Sequence, residues 1–270
     1  MTATRTYPHG VTSWVDVTQP DLPAAARFYG ELFGWAFTEV APRYRIATLE
    51  GRDVAAIGAA EGVAGWHTYV AVDDADASAA AVVAGGGTVQ EPPADAGPGG
   101  RTAACTDPAG AGFRLWQARR RPGAQLVNVP GAWNFSDLRT PDVDAALAFY
   151  APLFGWKAVD IPGAGAMLQV PGYGDHLAAT VDPHIHERQA SAPPGFADVI
   201  GGVVPVAAGE PAHWHVTFSV ADRDGSAADA ERLGGTVVAA TEDLWTRKAV
   251  VRDPQGARFT LSQFTPPDGW

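Results

Sequence analysis

Apolar and polar residues alternate with period two from Thr12 to Asp16, which puts Thr12, Trp14 and Asp16 on one face of a strand. Trp133, Phe135 and Asp137 share a face in the same way much later in the chain. After each of these stretches the period changes. A Pro-Asp pair is followed by an alanine-rich run, "PDLPAAARFY" and then "PDVDAALAFY". Asp21 and Asp142 stand where a helix N-cap belongs, because a short carboxylate accepts the free N–H groups of the first turn. Helices are expected from Leu22 and from Val143, with Phe28/Tyr29 and Phe149/Tyr150 near their ends and Gly34 and Gly155 as stops. The pattern reads strand, helix, glycine stop, strand, twice.

The two copies are close to identical where the helices end. "FYGELFGW" begins at Phe28 and "FYAPLFGW" at Phe149, an offset of 121. A second repeat pairs Trp66 with Trp214, His67 with His215 and Thr88 with Thr236 at offset 148. It too reads as an apolar strand, an acidic cap, an alanine-rich helix, a Gly-Gly stop and a new strand. A third pairs "DPAGAGFRLWQ" from Asp107 with "DPQGARFTLSQ" from Asp253, where a tight Asp-Pro turn leads into an alternating terminal strand. Four modules result, two in each half. The halves are expected at residues 1–120 and 133–270, joined by a Pro/Gly-bearing linker at 121–132. The change of offset from 121 to 148 places 27 extra residues in the second half, in the Pro/Gly/His-rich stretch near 171–211. A loop of that length without regular structure is a usual place for a functional element.

Composition narrows the function classes. With 46% hydrophobic residues in 270, the chain can fill one large core or two ordinary ones. No apolar run is long enough for a membrane span, and "MTATRTYPHGV" carries no signal-like apolar core. A formal charge of −11 repels phosphate backbones and argues against nucleic acid. The single cysteine, Cys105, allows no internal disulfide and reads as a buried strand residue, so a cytoplasmic location is expected. No G-x-S-x-G, Rossmann or P-loop pattern is present.

Four βαβββ modules carrying "PD…A…FY…LFGW" and "DP.GA" resemble the vicinal oxygen chelate superfamily, which includes glyoxalase I, bleomycin-resistance proteins and extradiol dioxygenases. The nearest likeness is to two-domain glyoxalase/bleomycin-resistance-like proteins of actinobacterial type. The resemblance implies an α+β fold: two half-open β-barrel domains in tandem, each with a ligand on its concave face. Metal-dependent members place a His on the first strand, a carboxylate or His on the fourth, a His on the fifth and a Glu on the eighth. Here His67 and His215 match the fifth-strand position. The eighth-strand positions, seven residues after Asp107 and Asp253, are Arg114 and Thr260. Counting back from Val17 and Leu138 gives Thr12 and Trp133 for the first strand, and the fourth strand of the first half offers only Asp53. No metal and no cofactor is therefore expected, because ligand count decides binding. The alternative is that His176 or His184 replaces a missing ligand beside Asp137 and His215.

By the same register Trp14, Asp16, His67, Tyr69, Arg114 and Trp116 line the first concave face. Trp133, Phe135, Asp137, His215, Thr217, Thr260 and Ser262 line the second. Asp16 and Arg114 are expected to bind ligand or to pair with each other. Aromatic walls with a few polar groups suit a small aromatic or hydrophobic ligand. The first reading is thus a metal-independent binding protein, monomeric or homodimeric, acting as an accessory or self-resistance factor in natural-product metabolism. The alternative is a lyase, isomerase or cyclase using Asp137 and His215 as an acid–base pair. A metal-dependent glyoxalase- or dioxygenase-type enzyme is the poorer third. The second half is favoured as the working site.

Overall fold

All four modules form as strand, helix and three strands. The structure, a computed structural model, describes residues 5–161, 165–206 and 209–266. The first module is β1 (Thr12–Gln19), α1 (Leu22–Phe33), β2 (Ala36–Ala41), β3 (Tyr44–Leu49) and β4 (Arg52–Ala59). The second is β5 (Gly65–Ala71), α2 (Ala75–Ala84), β6 (Thr88–Asp95), β7 (Gly100–Thr106) and β8 (Gly112–Ala118). The third is β9 (Trp133–Thr140), α3 (Val143–Phe154), β10 (Lys157–Ile161), β11 (Gly165–Gln169) and β12 (Val199–Pro205). The fourth is β13 (His213–Ser219), α6 (Arg223–Arg232), β14 (Thr236–Glu242), β15 (Thr246–Arg252) and β16 (Arg258–Phe264). Two mixed eight-stranded sheets result, ordered β2-β3-β4-β1-β5-β8-β7-β6 and β10-β11-β12-β9-β13-β16-β15-β14. No helix among the described residues is long and apolar enough to cross a membrane.

The local signals act as the sequence implies. Asp21 accepts from the Ala24 N–H and Asp142 from the Ala145 N–H, each at 2.9 Å. Gly34 and Gly155 take φ of 73° and 71°, the left-handed conformation that ends α1 and α3.

The stretch 171–211 corrects the expectation of a structureless loop. It contains α4 (Tyr173–Thr180), α5 (Ile185–Arg188), a 3-10 turn at Phe196–Asp198 and β12. The 27 extra residues sit between β11 and β12. Residues 170–198 make that connection, where Glu50 and Gly51 alone join β3 to β4. Tyr173, Leu177 and Ile185 are buried and anchor the segment. Asp198 accepts from the N–H groups of Gly172 and Gly174. Within that stretch α5 follows Pro183, and the glycines that suggested loop start turns there: Gly172 and Gly195 have positive φ. Residues 207 and 208 lie outside the described residues.

The described residues pack as two compact units, each combining modules from both sequence halves. One comprises the described residues among 5–13, 68–123 and 136–214, and so holds α2, β6–β8, α3 and β10–β12. The other comprises residues 14–67, 124–135 and 215–266, and so holds α1, β2–β4, α6 and β14–β16.

The repeated octapeptide explains this pairing. In the second unit Tyr29 is fully buried and donates its hydroxyl to Asp253 Oδ2 at 2.7 Å. Gln19 Nε2 donates to the same oxygen at 2.6 Å. Oδ1 accepts the N–H groups of Gln255 and Ala257, so the Asp-Pro turn is organised around this carboxylate. In the first unit Tyr150 donates to Asp107 Oδ2 at 3.2 Å, and Asp107 Oδ1 accepts from Ala109 and Ala111. The tyrosine of each half thus serves the turn of the other. The tryptophans repeat the exchange: Trp35 Nε1 donates to Gly131 O and Trp156 Nε1 to Gly10 O, both at 2.7 Å. Gly10 and Gly131 are themselves 121 apart, and only glycine fits there. A Cβ at Gly10 would lie 2.4 Å from Phe154 O, and one at Gly131 2.9 Å from Phe33 O. Aromatic contacts complete each dock, with Phe33 against Phe218 at 4.9 Å and Phe113 against Tyr150 at 5.6 Å.

Burial raises the Asp107 carboxyl above the ordinary aspartate range, and burial beside a carboxylate holds Tyr29 and Tyr150 well above that of tyrosine. Both phenols therefore remain donors. Two outcomes follow. Tyr29→Phe should destabilise the protein by about 2 kcal/mol and Tyr150→Phe, whose bond is longer, by about 1 kcal/mol, measured by urea unfolding. An acid with a raised folded-state pKa binds its proton more tightly when folded. Its contribution is complete below the unfolded pKa of about 3.9 and falls as pH rises through the folded value. Subtracting the stability profile of Asp107→Asn from that of the wild type should show this decline.

Candidate functional site

In the second unit, one face of β13 and β16 carries the helix dock. Val216, Phe218, Phe259 and Leu261 are fully buried on that side, with Phe28 and Phe33 of α1 against Phe259 and Phe218. The pleat turns the alternate residues to the other face. There β13 and β16 run parallel with Thr217 opposite Thr260 and Ser219 opposite Ser262. His215, Thr217, Thr260 and Ser262 form a polar row, all buried. His215 Nε2 and Thr260 Oγ1 are hydrogen-bonded at 2.7 Å. β15 extends this face with Lys248 opposite Ser262 and Thr246 opposite Phe264. Phe264 is exposed, and the Lys248 ammonium pairs with Asp243 at 3.0 Å. Trp133, on β9, is 3% exposed, and its indole N–H meets no acceptor among the described residues. Phe135 follows it, half-buried.

The same unit holds a second polar group. Trp14 Nε1 donates to Tyr44 OH at 3.4 Å, and Tyr44 OH donates to Asp16 Oδ2 at 2.9 Å. Asp16 is 4% exposed, so the phenol supplies a hydrogen bond that a buried carboxylate requires. Thr18 Oγ1 lies 3.2 Å from His67 Nε2.

In the first unit the face of β5 and β8 turned away from the aromatic dock is cationic and aromatic. Tyr69 lies opposite Arg114. The Arg114 guanidinium carbon stands 5.9 Å from the Tyr69 ring centroid, and Tyr69 meets Trp116 edge-on at 6.3 Å. Arg114 Nη1 pairs with Glu91 Oε2 at 2.9 Å. Trp116 Nε1 donates to Arg121 O at 2.8 Å. Asp137, also in this unit, accepts the Gly202 N–H on Oδ1 at 2.9 Å.

The expected candidates thus have identified partners: Tyr44 for Asp16, Glu91 for Arg114, Gly202 for Asp137, Thr260 for His215. Three of these partners, Tyr44, Glu91 and Gly202, lie on strands β3, β6 and β12 and escaped the sequence reading. None belongs to a repeated motif, and only strand pairing brings them to the site. Cys105 is buried on β7, as its surroundings implied, and burial pushes its thiol up to about 11.

Sequence profiles assign both halves. The Glyoxalase/Bleomycin resistance protein/Dioxygenase superfamily matches residues 12–115, and a Glyoxalase-like domain matches residues 135–262. The chain belongs to this superfamily. It is 40% identical to "Putative glyoxylase CFP32" of Mycobacterium bovis, over 96% of this chain and 97% of that protein. It is 33% identical to the anthracycline biosynthesis protein DnrV of Streptomyces peucetius, over 93% and 92%. The Mn(II)-bound glyoxalase of Novosphingobium aromaticivorans shares the fold, with a TM-score of 0.62 and 16% identity over 96% of this chain and 84% of that one.

Metal binding by superfamily members makes the donor set here informative. The described residues contain no group of three or more His, Cys, Asp or Glu side chains able to hold a metal ion. His215 Nε2, the fifth-strand position, is bonded to Thr260 Oγ1, the eighth-strand position. His67 Nε2 is bonded to Thr18. His176 Nε2 lies 3.1 Å from Thr6 Oγ1, and His184 Nδ1 2.9 Å from Glu187 on the exposed α5. A neutral hydroxyl stands where an anionic oxygen is needed, and these residues do not fit a divalent ion.

Thr260→Val removes the partner of a buried imidazole nitrogen. It should cost about 1–3 kcal/mol in thermal or urea unfolding, while Thr260→Ser should be near neutral.

Proposed function

We propose that the protein binds a hydrophobic, aromatic small molecule without a metal ion, as an accessory or self-resistance factor in natural-product metabolism. The binding surface is the polar row of the second unit: His215, Thr217, Thr260 and Ser262, with Trp133. The carrying observation is the His215–Thr260 hydrogen bond. It engages the imidazole nitrogen that a metal would need. The row offers hydroxyl and imidazole groups that both donate and accept, which suits the carbonyl and phenol oxygens of a planar aromatic ketone. Trp133 supplies a large ring whose N–H has no acceptor among the described residues. Relatives named for anthracycline biosynthesis, matched over more than nine-tenths of this chain, support a ligand of that chemical type.

Purified protein should contain well below one equivalent of Zn, Mn, Fe or Ni. Stoichiometric metal in elemental analysis would show the reading of the donor set to be wrong. A neutral hydroxyanthraquinone should quench tryptophan fluorescence saturably. Trp133→Ala should weaken that binding by about 1–3 kcal/mol, the scale of losing an aromatic wall, and Trp14→Ala should do much less. Equal or reversed effects would move the site away from this row.

A further inference from the structure

The two helix docks repeat one design, but they are not equally strong. Asp107 and Asp253 are each 4% exposed, and neither forms an ion pair among the described residues. Asp253 Oδ2 accepts from Tyr29 at 2.7 Å and from Gln19 at 2.6 Å. Asp107 Oδ2 accepts from Tyr150 at 3.2 Å and has no second side-chain donor among the described residues. The position of Gln19 recurs 121 residues later as Thr140, whose short hydroxyl donates instead to Asp142 O at 3.3 Å. The helices differ too. Where α1 carries Glu31, which reaches Arg232 of α6 at 3.8 Å, α3 carries Pro152. A proline has no N–H for the carbonyl four residues back, so the turn that presents Phe154 is weakened. A buried carboxylate is held less firmly when ionised than when protonated, unless donors or a cation meet its charge.

We propose that the dock of the first unit is a pH-sensitive latch: the end of α3 opens locally as pH rises, while Gln19 keeps α1 in place in the second unit. The sign follows from the proton. Burial raises the Asp107 carboxyl above the ordinary aspartate range, so folding favours its protonated form. Ionisation on rising pH leaves a buried charge with one long side-chain hydrogen bond. The groups around it do not offset that charge. The Tyr150 phenol and, beside it, the Cys105 thiol on β7 are both raised by burial and stay neutral. Arg114 on β8 acts on Cys105. α2 ends on Gly85, and Gly85 and Gly87 pack against Phe149 without a charge. His9 is the other titratable group at this end of α3. Its Nε2 lies 3.0 Å from Leu153 O, and its Nδ1 accepts the Asp73 N–H at 3.3 Å. Opening of the latch parts Phe154 and Trp156 from the rings they pack on and leaves the second unit closed.

The test is amide hydrogen exchange of the full chain, read peptide by peptide in the mass spectrometer and corrected for the intrinsic pH dependence of exchange. At pH 7 the amides of α3 should exchange about tenfold faster than those of α1, the scale of one to two net hydrogen bonds. The gap should narrow as pH falls and Asp107 takes up its proton. Asp107→Asn keeps the shape and cannot ionise, so it should remove the pH dependence of α3. A dependence that survives it belongs to His9 and overturns the proposal. Thr140→Gln supplies the missing donor and should slow the opening of α3 by about fivefold, one net hydrogen bond. Gln19→Thr should speed the opening of α1 by the same factor. Equal exchange in the two helices, or a gap that does not change with pH in the wild type, also overturns the proposal. Thr140 is fully buried, and should Thr140→Gln fail to fold, Gln19→Thr decides: unchanged exchange of α1 there shows that Gln19 is not what separates the two docks, and the proposal falls.

Discussion

A buried phenol donating to a buried carboxylate is the constraint on which this structure turns. Neither group tolerates burial alone, since an unpaired polar atom in the core costs more than the bond is worth in water. Tyr29 and Asp253 satisfy each other, as do Tyr150 and Asp107. Each carboxylate also accepts two backbone N–H groups, so the bond fixes the turn that feeds the last strand of its module. That strand carries the position on which the chemistry differs, Arg114 in one unit and Thr260 in the other.

The fold was largely legible because its signals are local and repeated. Aspartate caps, glycine stops and Asp-Pro turns act over a few residues: an aspartate caps the helix of every module, Gly34 and Gly155 end α1 and α3, and Asp-Pro turns precede the last strands of the second and fourth modules. The docking of Tyr29 on Asp253 was not legible, because a repeat shows that two motifs occur together but not which copies meet. The insertion was misread for a related reason. Its glycines and prolines start short helices whose stability comes from burying Tyr173, Leu177 and Ile185, which is tertiary information.

At the site, the strand alternation grouped the candidates by sequence half, whereas Trp14, Asp16 and His67 lie in one compact unit and Tyr69, Arg114 and Trp116 in the other, and Asp137 lies in a different unit from His215; partners across strands were out of reach. Tyr44 reaches Asp16 from β3, and Glu91 reaches Arg114 from β6. Pairing of Asp16 with Arg114 was one expectation; the described partners of these residues are the phenol and the glutamate. The same register thus hosts two kinds of surface. Substitutions on the strand that once served one chemistry can alter the face without touching the aromatic dock behind it, because the pleat separates the two sets of side chains.

The exchange between halves also sets a timetable during synthesis. Tyr29 precedes Asp253 by 224 residues. At a translation rate of about 5–20 residues per second, α1 waits about 10–45 s for its acceptor. Over that interval Phe28, Phe33 and Trp35 lack Phe218 and Phe259, the rings they finally pack against. Asp107 meets Tyr150 after only 43 residues. The unit that holds Asp107 and Tyr150 ends at Trp214 and is therefore completed before the unit that holds Tyr29 and Asp253. The opening module, with its aromatic helix, therefore spends most of the chain's synthesis without the rings that finally cover it.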